Sequence, residues 1–206
     1  PVLVLPLDEI SLENMDEVGG KAANLGEVRN RAGLPTPDGF AVTASAAALF
    51  LRHAGLLETL RSQLPNLDIT DIAALERVCA KASERIMVAP LPPALERVLA
   101  NTTREIVSRL GPDARLAVRS SAVCEDSEAS FAGQHASVLG AAPTTLGRAW
   151  SAVVASAFTP RAVFYRRTKG YSEQDVMMSV LVLPMVQSRS SGVLYTIDPN
   201  SSHSDD

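Results

Sequence analysis

At Gly111-Pro112-Asp113 the character of the chain changes. Upstream, apolar residues recur every three or four positions. Ile72, Leu75, Val78, Cys79, Ala82 and Ile86 draw one stripe, and Leu95, Val98, Leu99, Ile106, Val107 and Leu110 draw another. That period predicts amphipathic helices over about 44–54, 56–63, 70–87 and from Pro92-Pro93 to the break, with the stripes as core. Proline suits a first helical turn, and Thr43 or Ser45 can cap the helix that follows. Downstream, short strand-like runs dominate: Arg115–Val118, Ala136–Leu139, and Val176–Leu183 and Gly192–Ile197, the last two rich in β-branched residues. The last two flank the polar link Gln187–Ser191 and read as an antiparallel pair, the first of them apolar on both faces and therefore buried. Two further helices are predicted, from Pro143-Thr144 to about Phe158 and from Thr159-Pro160 through Arg167. The result is an α+β chain with a helical first half and a mixed, largely antiparallel sheet in the second. Its expected divisions are 1–110, mainly helical; 111–199, β-rich; and 200–206, a small charged tail with nothing to pack.

The 206 residues suffice for one large domain or two small ones. Nineteen basic and 23 acidic residues leave a net charge of −4, which argues against a general nucleic-acid binder. Only three of the basic residues are lysines: Lys21, Lys81 and Lys169. A single lysine in a special setting therefore carries weight. Cys79 and Cys124 are far apart, and His53, His135 and His203 are scattered, so neither set has metal-ligand spacing. Cys79 falls on a helical apolar face and reads as core. The opening Pro1–Pro6 resembles a short strand rather than a secretory signal, and no apolar run reaches the roughly 20 residues of a membrane helix. The expectation is a cytoplasmic protein with no membrane partner.

Two stretches suit an anion. In Gly19-Gly20-Lys21, Ala22, Leu25, Val28 and Ala32 predict a helix opening near Gly20. Backbone N–H groups, the positive helix end and an ammonium then coincide. This is not a P-loop, because the four-residue spacer and the Ser/Thr after Lys are missing. The second stretch runs from Ala117 to Gln134. It delivers Arg119 at the end of a strand, follows it with small hydroxyl residues, and closes on Ala132-Gly133. A guanidinium fork, hydroxyls and a glycine that admits close backbone approach are suited to phosphate oxygens. The cluster Arg161, Arg166, Arg167 and Lys169 reads instead as a solvated helix face.

Five pieces in order resemble the N-terminal nucleotide-binding region of the phosphoenolpyruvate synthase and pyruvate, phosphate dikinase family. They are Val18–Glu27, Leu34–Thr43, Val118–Gln134, Ser156–Arg166, and Met185-Val186 with Ser191–Pro199. The resemblance implies an ATP-grasp-like fold holding ATP, with Lys21 and Arg119 on the phosphates, Gly133 bringing backbone amides over them, and Ser137 touching the nucleotide. It also implies Mg²⁺, whose ligands are expected outside this segment. In the parent enzyme it implies a phosphohistidine carrier domain and a pyruvate-type acceptor domain, with phosphate moving from ATP to histidine and on to pyruvate. The segment alone is expected to be catalytically incompetent. An antibiotic phosphotransferase of the rifampin type shares these motifs, and a non-catalytic nucleotide-binding or regulatory module is the other alternative. Two departures stand out. Leu183 occupies a position usually held by a polar Gln, and the loop between Asp126 and Ala129 is one residue short.

Overall fold

The structure is a computed structural model and describes residues 1–122, 136–171 and 178–192. The last of the sequence's β-branched runs, Val193–Ile197, and the tail therefore lie outside the described residues.

Among the described residues, five strands form one sheet: β1 (Val4–Pro6), β2 (Phe40–Val42), β3 (Leu116–Ala122), β4 (Ser137–Ala141) and β5 (Met178–Pro184). Their spatial order is β1-β2-β5-β3-β4, and every neighbouring pair is antiparallel. β5 lies at the centre, as a run apolar on both faces requires. Val180–Val182 are paired with β2 on one side and with β3 on the other. The partner anticipated for β5, Gly192–Ile197, lies outside the described residues beyond Gly192.

Seven helices accompany the sheet among the described residues: α1 (Met15–Asn30), α2 (Ala44–His53), α3 (Leu57–Gln63), α4 (Ile72–Val88), α5 (Pro93–Leu110), α6 (Leu146–Ser156) and α7 (Pro160–Thr168). Alternation along β5 assigns them to two sides. Val180 and Val182 point into the larger core, with Phe40, Phe50, Leu95 and Trp150, beneath α2 and α6. Leu181 and Leu183 point the other way, into a smaller cluster with Val18, Ala22 and Ala41 under α1. Behind α6, helices α4 and α5 pack as an outer layer. Trp150 and Phe50 meet edge to face, with ring centroids 5.2 Å apart, at the heart of the larger core.

The two halves of the sequence are thus interwoven. Strands β1 and β2 precede the break at Gly111, yet they complete the sheet of β3–β5. The stripes of α4 and α5 are buried as expected at Leu75, Cys79, Ala82, Ile86, Leu95, Leu99 and Ile106, whereas Ile72 and Leu110, at helix ends, face solvent. Thr43 and Thr159 cap α2 and α7, accepting hydrogen bonds from the amides of Ala46 and Ala162 at 3.3 Å each.

Of the basic cluster read as a solvated face, Arg161 and Lys169 are exposed, whereas Arg166 and Arg167 are not. Arg166 is buried and donates through Nη1 to the carbonyl of Ala157 at 2.6 Å. Arg167 donates to the carbonyl of Leu64 at 2.5 Å and ties α7 to the segment after α3. These guanidinium groups bind the orphan carbonyls of helix ends and loops, a task for which a rigid donor fork is well shaped.

Candidate functional site

The site is built on β3 and on the kinked start of α1. Along β3, Ala117, Arg119 and Ser121 face α1, and Leu116, Val118 and Ser120 face the larger core. Arg119 is exposed, and its cross-strand neighbour on β4 is Ser137, also exposed. Opposite residues of an antiparallel pair share a face. Arg119 and Ser137 therefore stand side by side on the α1 side of the sheet.

Lys21 comes to the same place from a distant part of the sequence. Its ammonium donates to the carbonyl of Ser120 at 3.3 Å, one residue from Arg119. Two cationic side chains, far apart along the chain, thereby border one patch of the sheet. Gly133 falls outside the described residues, as does the loop with the one-residue departure.

A local distortion makes this juxtaposition possible. Gly19 has φ 74° and ψ 167°, which breaks α1 into a short first turn and a helix restarting at Gly20. A Cβ on Gly19 would lie 2.0 Å from the carbonyl oxygen of Ser121, so only glycine fits. Ser121 in turn caps the restarted helix from the neighbouring strand: its hydroxyl accepts from the amide of Ala22 at 3.0 Å. The expectation that Gly19-Gly20 presents open backbone amides needs correction here. Both glycines are buried against β3, and the Ala22 amide is taken up by the protein's own serine. The helix start grips the strand, and the lysine on its flank is what faces the patch.

Sequence reasoning missed the serines that lock this junction. The Ser179 hydroxyl on β5 is wholly buried and within reach of the carbonyls of Val18 and of Ser121, the latter at 2.7 Å. Its single proton can serve only one of them at a time, so it links helix and strand alternately. One hint was available: Ser179 is the lone hydroxyl in an otherwise apolar strand. Ser156 is a third anchor. It accepts from the amide of Ala136 at 3.0 Å and donates to the carbonyl of Val153 at 2.6 Å, fixing the entry to β4 beside Ser137.

Leu183, where a polar residue was looked for, is almost completely buried in the cluster under α1. It is opposite Ala117 on β3 and contributes packing at the border of the patch. No group of three or more His, Cys, Asp or Glu is placed to hold a metal among the described residues.

Lys21, Arg119 and Ser137 thus border one patch of the sheet, and comparison with known proteins gives the family of the chain. Residues 15–206 match the family model described as pyruvate phosphate dikinase, AMP/ATP-binding domain. The chain belongs to this dikinase nucleotide-binding family. Among its relatives, a probable phosphoenolpyruvate synthase of Staphylothermus marinus is 42% identical over 202 residues, covering 94% of this chain and 24% of its own length. The probable phosphoenolpyruvate synthase of Methanocaldococcus jannaschii is 37% identical over 203 residues, 97% of this chain and 17% of its own. The phosphoenolpyruvate synthase of Escherichia coli is 38% identical over 209 residues, 97% and 26% respectively. The chain thus spans about a quarter or less of these relatives. Within the dikinase family frame, no helix among the described residues is long and apolar enough to cross a membrane.

Proposed function

We propose that this chain is the phosphate-gripping part of an ATP-dependent phosphotransferase of the phosphoenolpyruvate synthase type. The observation that carries the reading is the meeting of Lys21 with the β3 residue next to Arg119, on the sheet face that also holds Ser137. Phosphoryl transfer asks the protein mainly for positioning and charge neutralisation. Lys21 supplies a compact ammonium and Arg119 a planar fork, which are complementary ways of holding neighbouring phosphoryl oxygens. Ser137 adds a hydroxyl beside the fork. By the family pattern, Gly133, outside the described residues, would bring backbone amides over the phosphates.

In this reading the fold is the first lobe of an ATP-grasp-like arrangement, and the nucleotide lies on the α1 side of the sheet. The described residues offer no ligand set for Mg²⁺; residues elsewhere in the parent would hold the ion, which would supply charge neutralisation at the phosphates. The parent passes the phosphoryl group to a carrier histidine and then to pyruvate. The relatives' common description as phosphoenolpyruvate synthases favours that acceptor over an antibiotic.

Isothermal titration of ATP·Mg²⁺ into the full-length parent tests the assignment. Lys21→Ala and Arg119→Ala should each weaken binding about tenfold or more, because each removes a charge-assisted contact worth roughly 1.5–3 kcal/mol. Unchanged affinity in both variants ends the phosphate roles given to these side chains.

A further inference from the structure

Behind α6, on the side of the sheet away from Lys21 and Arg119, α3 and α4 leave a trough of about 560 Å³. Its floor is apolar, with Leu60, Leu67 and Val78 among the lining residues, and Ser62, Gln63 and Asn66 stand along one wall. The other wall is a row of cations on α4: Arg77, Lys81 and Arg85. Residues four apart stand one above the other on a helix, so the row extends for about 12 Å along the trough.

That row is costly to the helix that carries it, since like charges four residues apart repel. Among the described residues none of the three cations is ion-paired, and Arg85 donates to the carbonyl of Ala54 at 3.5 Å. Two acids next in sequence to residues of the trough are engaged elsewhere. Glu58 pairs with Arg61 at 3.6 Å, and Asp68 accepts from the hydroxyl and amide of Thr70 at 2.7 and 2.9 Å. Glu76 and Glu84 share α4 with the row but do not line the trough. A chain of net charge −4 with only three lysines therefore concentrates two arginines and one of those lysines beside an apolar floor on which Leu67 and Val78 are half-buried.

We propose that this trough docks an acidic amphipathic helix of a partner protein. Carboxylates at i, i+4 and i+8 of that helix meet Arg77, Lys81 and Arg85, and its apolar stripe covers the half-buried Leu67 and Val78. The match is geometric as well as electrostatic, because both rows have the same axial repeat when one helix lies along another. Three cations strung along the trough do not converge on one point, as they do around a small anion. An apolar floor beside a charged wall is the arrangement that receives a helix in a groove.

The test is fluorescence anisotropy with a labelled, end-capped helical peptide of about eighteen residues, long enough to hold helix once docked. It carries Glu at i, i+4 and i+8 and Leu on the adjoining stripe. Binding to the chain should weaken about tenfold or more in the triple variant Arg77→Glu, Lys81→Glu, Arg85→Glu, as three exposed ion pairs imply. All three positions are exposed, and thermal melting checks that the variant stays folded. A peptide with Lys in place of Glu should bind the triple variant and not the parent sequence. Failure of the acidic peptide to bind, or equal binding to both chains, overturns the proposal. Equal binding of a peptide with Ser in place of Leu overturns it too, by reducing the trough to a site for anions alone. Sedimentation of the chain by itself is the last arm. Self-association abolished by the triple reversal would give the trough to a second copy of this chain instead.

Discussion

Gly19 has the least freedom of any residue around the candidate site. Its positive φ suits glycine, and the Ser121 carbonyl already occupies the space a Cβ needs. Gly19→Ala should therefore cost about 3 kcal/mol or more, since neither backbone can yield without moving β3 from its partners. Urea unfolding of the variant measures the loss, and a near-neutral result would show that α1 can lift from the strand. Ser121 and Ser179 act at the same junction through hydrogen bonds that are fully buried. Ser179→Ala leaves buried carbonyls with fewer donors and should cost about 1–3 kcal/mol. Ser121→Ala should cost a similar amount, by stripping the Ala22 amide of its acceptor. The double variant should lose less than the sum, because both serines hold one contact between α1 and the sheet. A double-mutant cycle in urea reads that coupling directly.

At the scale of elements, the helices of the outer layer follow their sequence stripes closely, and their ends are set by local chemistry. Pro93 opens α5, and Gly111, at φ 87°, closes it. Thr159 does two jobs at the start of α7: it accepts from the Ala162 amide and donates to the Ser156 carbonyl at 3.1 Å. Thr159→Ala should destabilise by about 1 kcal/mol, the usual worth of a cap, and Thr159→Ser should recover most of it. Thermal melts of the two variants separate the cap from the methyl group. These features were legible because they involve residues within a turn of one another. Arg166 and Arg167 were not, for a physical reason. Both carbonyls that the two arginines satisfy belong to segments outside α7, so the arginines resembled an ordinary charged surface until α7 was docked.

For the molecule as a whole, the central strand comes late. β5 begins at Met178, after every other described element, and holds β2 and β3 together. A chain ending at residue 171 should therefore fail to fold cooperatively, although it keeps seven helices and four strands. Its remaining strands would expose the edges that β5 pairs, along with the apolar faces that Val180 and Val182 cover. Circular dichroism and urea titration of the shortened chain are the check. A sharp unfolding transition would show the helical layer to be self-sufficient. Helix positions, their caps, the buried character of β5 and the cationic nature of the site residues were determined by sequence alone, because period, turn chemistry and charge are local properties. Which strands pair, that one sheet takes strands from both sides of Gly111, and that Lys21 reaches the carbonyl beside Arg119 were decided in three dimensions. Those outcomes depend on contacts between residues 99 positions apart, as at Lys21 and Ser120, or farther still, as between Phe40 and Val182, and nothing in a local pattern encodes which distant surface will cover it.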